Sequence, residues 1–244
     1  MHNWDQRLKV MRASTVAIIS TLVILLFFAG FTIYGNKVGN FVINVDLKSD
    51  VRLSLSAQED LSKQTERLAY GALTSLTNST YDWLPEDISR KGMGNVSDEE
   101  HGRYMAYTFY LINNSDREVD CDLDMNLIDT VGDPMGMLRV MLIEEDALTS
   151  AEGNRIYALK ESSPERKEAM DAELETYYTP YNTVDFLIEE GDTSGTLFSV
   201  QLRDFAAGGS RKYTVVIWLE GCDLDTISEN IGSRAKLQLD ITGY

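Results

Sequence analysis

Histidine is the scarcest proton-moving residue in this chain. There are two, His2 and His101, so a two-histidine zinc motif of the H-E-x-x-H kind cannot be built outside the N-terminal tail. A Ser-His-Asp triad would rest on one ring. His101 follows Glu99 and Glu100 in a polar stretch that reads as a surface loop. An exposed loop side chain is the plainer reading, and a catalytic base or weak metal ligand the sharper one. Asp120, Asp122, Asp124 and Asn126 share the opening spacing of a calcium loop, but Met125 stands where glycine is needed and Val131 where a bidentate glutamate is needed. The intervening Val119, Cys121, Leu123, Met125 and Leu127 are apolar, so the carboxylates read as the solvated face of a strand. The residues therefore point to no catalytic group, no cofactor and no resident metal.

Cys121 faces inward by that alternation, and Cys222 follows a strand-like KYTVVIWLE. Outside the cytoplasm the two could form a disulfide; two separate thiols is the other reading. Trp83, Tyr104 and Tyr110 would suit a sugar-binding surface, or simply fill a core. Asn78, Asn95 and Asn113 each open an N-x-S/T acceptor pattern.

The element that decides where this chemistry sits is the run from Ala13 to Tyr34, ASTVAIISTLVILLFFAGFTIY, which contains no charge. At about 1.5 Å per residue it is long enough to cross a hydrocarbon layer of about 30 Å. Arg7, Lys9 and Arg12 precede it against one acid, Asp5, which places the N-terminus in the cytoplasm by the positive-inside rule. A cleaved signal peptide is the competing reading, but the run is long for one, and Phe28 or Ile33 would occupy the minus-three position of the available sites. The expected organisation is a cytoplasmic tail over residues 1–12, a signal anchor over 13–34 and an extracellular domain over 35–244.

Beyond a polar hinge, GNKVGN, the pattern becomes one of strands. Phe41, Ile43, Val45 and Leu47 fall on one face and Val42, Asn44, Asp46 and Lys48 on the other, then Val51, Leu53 and Leu55 alternate with Arg52, Ser54 and Ser56. RYMAYTFYLIN (Arg103 to Asn113) and the alternating run from Glu118 to Asp129 flank Asn-Asn-Ser-Asp and predict a hairpin. Met137 to Ile143 and Asn154 to Leu159 predict a second strand pair. Further strands are expected over Thr183 to Ile188, Gly195 to Leu202, Lys212 to Glu220 and Ala235 to Thr242. SLTNSTYDWL is strand-like, Ala57 to Ala72 fits a helix or a loop, and Ser89 to Gly102 reads as a loop. Ser163-Pro164-Glu165 opens one short surface helix, from about Pro164 to Tyr177. About ten strands without βαβ alternation predict an all-β fold, an antiparallel two-sheet sandwich. In KYTVVIWLEG both faces are apolar, which fits a central strand covered on both sides or an exposed aromatic contact at Trp218.

Net charge is -17, from 22 Lys+Arg and 39 Asp+Glu. Such a surface repels phosphate backbones, so nucleic acid is excluded as a partner.

Three blocks carry a family likeness: AAGGSRKYTVVIWLEGCDLDTISENIGSRAKLQLDI, YMAYTFYLINNSDREVDCDLDMNL, and NFVINVDLKSDVRLSLS just after the hydrophobic segment. Together they resemble the camelysin and TasA-like proteins of Gram-positive bacteria. The resemblance implies a jelly-roll-type sandwich in which a strand closely follows the export segment. Some members are secreted fibre or biofilm-matrix subunits that polymerise when the N-terminal strand of one copy completes the sheet of the next; others have been labelled metalloproteases. This chain lacks the residues for a zinc site of the usual type, and its poor cleavage site suggests that it stays tethered. Phe41, Ile43, Val45 and Leu47 are the candidate donor strand, with pairing inside their own domain as the alternative. The reading that follows is a non-enzymatic, membrane-anchored surface protein making envelope, matrix or self-assembly contacts, with a homo-oligomer or matrix proteins as partners. An extracellular glycan-binding or sensor module is the alternative, and an exported hydrolase a third.

Overall fold

The computed structural model describes residues 19–22, 24–25, 41–46, 50–70, 78–79, 81–85, 87–88, 94–96, 104–145, 154–160, 183–220 and 233–244. Its contacts divide the chain into two units, Met1–Gly39 and Asn40–Tyr244. In the first unit, residues 19–22, 24 and 25 are helical, and Ile19, Leu22, Ile24 and Leu25 are all exposed. Among the described residues no helix is long and apolar enough to cross a membrane. The remainder of the expected span, and the tail before it, lie outside the described residues.

The second unit is built of strands: β1 (Phe41–Asp46), β2 (Leu53–Ser56), β3 (Arg67–Tyr70), β4 (Asn78–Ser79), β5 (Gly94–Val96), β6 (Met105–Asn113), β7 (Val119–Val131), β8 (Leu138–Glu144), β9 (Asn154–Ala158), β10 (Thr183–Asp185), β11 (Gly195–Phe205), β12 (Ser210–Glu220) and β13 (Arg234–Gly243). They form two sheets. One has the order β11-β7-β13-β1-β3. The other follows β10-β9-β8-β12-β6-β2, with β4 beside β12 and β5 beside β6.

The inward rows of the two sheets merge into one core, in which Phe41, Ile43, Leu123, Met125, Leu239 and Ile241 meet Tyr107, Phe109, Val140, Val215 and Ile217. Phe41 stacks on Tyr107 at 4.6 Å and Tyr157 on Phe198 at 3.7 Å, both across the sandwich. Each fully buried side chain of this size contributes about 1.5–3 kcal/mol through the water it sheds. A second apolar layer lies on the outer face of the larger sheet, where Tyr104, Ala106, Met141, Ile143, Val216 and Trp218 pack with Ile88, Ile156, Tyr81 and Leu84. β12 is therefore a central strand covered on both sides, as its doubly apolar sequence allows.

The sandwich differs from the expected one in three respects. Both sheets are mixed rather than antiparallel: β1 runs parallel to β13, β10 to β9 and β4 to β12. Alternation fixes which face of a strand is buried, but it is blind to the direction of the neighbour. Nor do β6 and β7 form a hairpin. β6 pairs with β12, β2 and β5, while β7 pairs with β11 and β13, so Asn114 to Glu118 is a corner between sheets. Asn113 holds that corner. Its Oδ1 accepts from the Ser115 N–H at 2.9 Å and its Nδ2 donates to the Phe205 carbonyl at 2.8 Å and the Arg117 carbonyl at 3.0 Å. Finally, short elements occupy stretches read as loop or strand: β3 lies in the ambiguous run, β5 in the expected loop, and Tyr81–Trp83 is a 3-10 turn. The helix expected from Pro164 to Tyr177 lies outside the described residues.

Candidate functional site

The first strand after the hinge is the candidate that sequence singled out. Phe41 and Ile43 have no exposed surface, and Val45 is almost as deeply buried; Leu47 lies outside the described residues. β1 pairs with β13 over its whole length, from Phe41 opposite Leu237 to Asp46 opposite Thr242. On its other side it pairs with β3, from Phe41 opposite Tyr70 to Asn44 opposite Arg67. The candidate donor strand thus completes its own sheet. It is held between the last strand of the chain and a four-residue edge, and its inward side chains sit among both sheets' core residues.

The outer face of that sheet carries the acidic row. β7 alternates as read, with Val119, Cys121, Leu123, Met125 and Leu127 buried and Asp120, Asp122, Asp124 and Asn126 half-buried. Protein donors satisfy much of it. Asp240 accepts from Asn44 at 3.2 Å, Asn126 at 2.9 Å and Gln238 at 2.7 Å, and the Thr196 hydroxyl donates to Asn126 at 2.8 Å. These bonds link β1, β13, β7 and β11 in a line across the strands. At the far end Arg203 donates to Asp120 at 2.8 Å and to the Tyr244 hydroxyl at 3.0 Å, and that hydroxyl donates to Asp122 at 3.1 Å. The Asp204 N–H and the Arg203 side chain hold the Asp120 carboxyl below its ordinary value of 3.8. Among the described residues no group of three or more His, Cys, Asp or Glu is placed to hold a metal.

Cys121 is a free, buried thiol. Burial, with Asp120 and Asp122 alongside, pushes its pKa up to about 12, so it carries almost no thiolate near neutrality and is a poor nucleophile. Cys222 and His101 lie outside the described residues. The three aromatics proposed as a sugar platform are not alike: Tyr104 is buried in the outer apolar layer, Tyr110 is half-buried on β6, and Trp83 is exposed. Asn113 is fully buried with its amide engaged, so the folded protein cannot present it for glycosylation. Sequence reading passed over Arg203 and Tyr244, because their role comes from β11 and β13 flanking β7, a sheet order that no local pattern announces.

No family model, curated protein or solved structure matches this chain.

Proposed function

We propose that this chain is a non-enzymatic, membrane-anchored surface protein of the camelysin and TasA-like kind, whose jelly-roll-like sandwich associates with further copies by exchanging β1. The observation that carries the reading is the place of β1: the strand next to the apolar leader is an integral, deeply buried member of the sheet, yet it is joined to the rest of the domain through one chain end. A segment of that sort satisfies the same pairing whether it comes from its own copy or from a neighbour. The uncharged leader and its basic flank support tethering, and the large excess of acid suits a surface exposed to water.

Cross-linking tests it directly. Asn44 and Asp240 are register partners with hydrogen-bonded side chains on the outer face. With Cys222→Ser as background, full chains carrying Asn44→Cys alone are mixed with chains carrying Asp240→Cys alone, assembled and oxidised. Exchange gives a covalent dimer of the two. If assembled material yields none, while the double variant closes only within one chain, the exchange reading is overturned.

A further inference from the structure

We infer that Phe41 and Asn44 together set the register at which an extended segment seats beside β13, so that the place of β1 accepts a strand carrying an aromatic residue and, three positions later, an amide. For a strand arriving from a second copy, this rests on the exchange reading above. Alternation alone leaves the register open. It forbids a shift of one residue, which would turn Val42, Asn44 and Asp46 inward, but a shift of two keeps the same parity. Moving the strand by two puts Ile43 opposite Leu237, Val45 opposite Leu239 and, by count, Leu47 opposite Ile241. That inward row is as apolar as the observed one of Phe41, Ile43 and Val45.

Shape on the inner face tells the two frames apart. The Phe41 ring is fully buried, with its centroid 4.6 Å from that of Tyr107 and 6.2 Å from that of Tyr70, and the two tyrosine rings are 4.4 Å apart. Tyr70 is the register partner of Phe41 on β3, and Tyr107 lies on β6. The seat of the Phe41 ring is therefore made by both sheets. Ile43 in that seat would forfeit the ring contacts and leave a void that its smaller side chain does not fill. Phe41 is the one aromatic residue of β1, so a single even register fills the seat.

Polarity on the outer face makes the same choice independently. Asn44 lies opposite Asp240 and donates to its carboxylate at 3.2 Å, beside the donors Asn126 and Gln238. The shifted frame would bring Asp46 opposite Asp240, exchanging a donor for a second carboxylate. Arg67, the β3 partner of Asn44, would then face Asp46. It is exposed, so water screens most of that attraction. The same shift would carry the polar Asn44 to the place of Val42, which is 2% exposed opposite Gln238 and Ala69. A second copy of this chain carries the ring, the amide and the spacing that both faces require.

The test moves the two features along the strand and reads the register by disulfide closure in oxidised glutathione, using the full chain in detergent with Cys222→Ser. Val42→Cys with Gln238→Cys reports the observed frame; Lys48→Cys with Thr242→Cys reports, by count, the shifted one. Phe41→Ile with Ile43→Phe moves the ring by two positions, and Asn44→Val with Asp46→Asn moves the amide by two. With all four substitutions the ratio of shifted to observed closure rates is expected to rise at least about tenfold. The outer-face pair alone should raise it in the same direction, and it leaves the core intact if the ring exchange prevents folding. Phe109→Leu, which removes a core ring stacked on Tyr213, should leave the ratio unchanged. A ratio that none of the moved features raises, or that Phe109→Leu raises equally, would overturn the inference. Single-chain closure that responds as expected, in a protein whose mixed chains give no Asn44–Asp240 cross-link, would instead overturn the exchange reading and keep the seat for the chain's own strand.

Discussion

Asn113 shows how much one side chain can hold in this fold. It is fully buried at the point where the chain leaves one sheet for the other, and its amide serves carbonyls of two loops, at Arg117 and at Phe205 and Ala206. Replacing it with alanine strands those acceptors away from water, at a cost of about 2–4 kcal/mol, so Asn113→Ala should lower the urea midpoint strongly with little change in slope. Asp120 works at the surface and more gently. Its folded pKa lies below 3.8, the value of a free aspartate, so its contribution is complete above that value and disappears as pH falls through the lower folded pKa. Asp60, held down by Ser62, has the same sign. Urea midpoints measured from neutrality down to acid should therefore fall below about pH 4, and Asp120→Asn should flatten part of that fall while costing stability at neutral pH. An unchanged acid limb in the variant would show that the Asp204 N–H and Arg203 contacts of Asp120 contribute nothing to it.

Strands were legible where one face is solvated. Buried and half-buried positions alternate along β7 from Val119 to Leu127 and along β13 from Leu237 to Gly243, and the inward row of β7 could be named from sequence alone, whereas in β1 Val42 on the outer face is buried as well. What alternation cannot supply is the neighbour. β1 finds its partner in β13, almost the whole domain away in sequence, and β6 finds β12 instead of the adjacent β7. Both choices are made by the shape of the common core. Short elements escaped for a different reason: β3 and β5 have four and three residues, too few for a period, and they exist because a longer strand offers them hydrogen bonds. The candidate strand was found by the same alternation, whereas the Arg203–Asp120–Tyr244 contact required the sheet order. Hydrogen exchange should divide the elements accordingly. Amides of β12 and β13, paired on both sides, should exchange at least about a hundredfold more slowly than those of β10, whose three residues are all exposed at an edge. Equal protection across the two would contradict this pairing.

At the scale of the molecule, both flanks of the sandwich are stitched shut. On one, Leu55 and Thr65 exchange backbone hydrogen bonds at 2.7 and 2.9 Å, tying β2 in one sheet to the approach to β3 in the other. On the other, the Phe186 N–H reaches the Ala158 carbonyl at 2.6 Å and the Leu187 N–H the Leu197 carbonyl at 2.8 Å, joining β9 to β11. Among the described residues these bonds tie the two sheets together at each flank, and such ties hinder folded copies from pairing edge to edge there, a usual protection against aggregation. On the proposed exchange, association through β1 would have to wait for that strand to leave its own sheet, giving up the burial of Phe41 and Ile43 before regaining it in a neighbour. The encounter also works against a net charge of -17 on every copy. These two barriers respond to different reagents. Raising NaCl from about 0.05 to 0.3 M screens the repulsion, and about 1 M urea eases the opening without unfolding the domain. Assembly of the full chain in detergent, followed by light scattering, should accelerate with each and fastest with both. Salt-driven assembly that slows in mild urea would mean instead that intact surfaces are docking, because a denaturant weakens such contacts and speeds association that requires the domain to open.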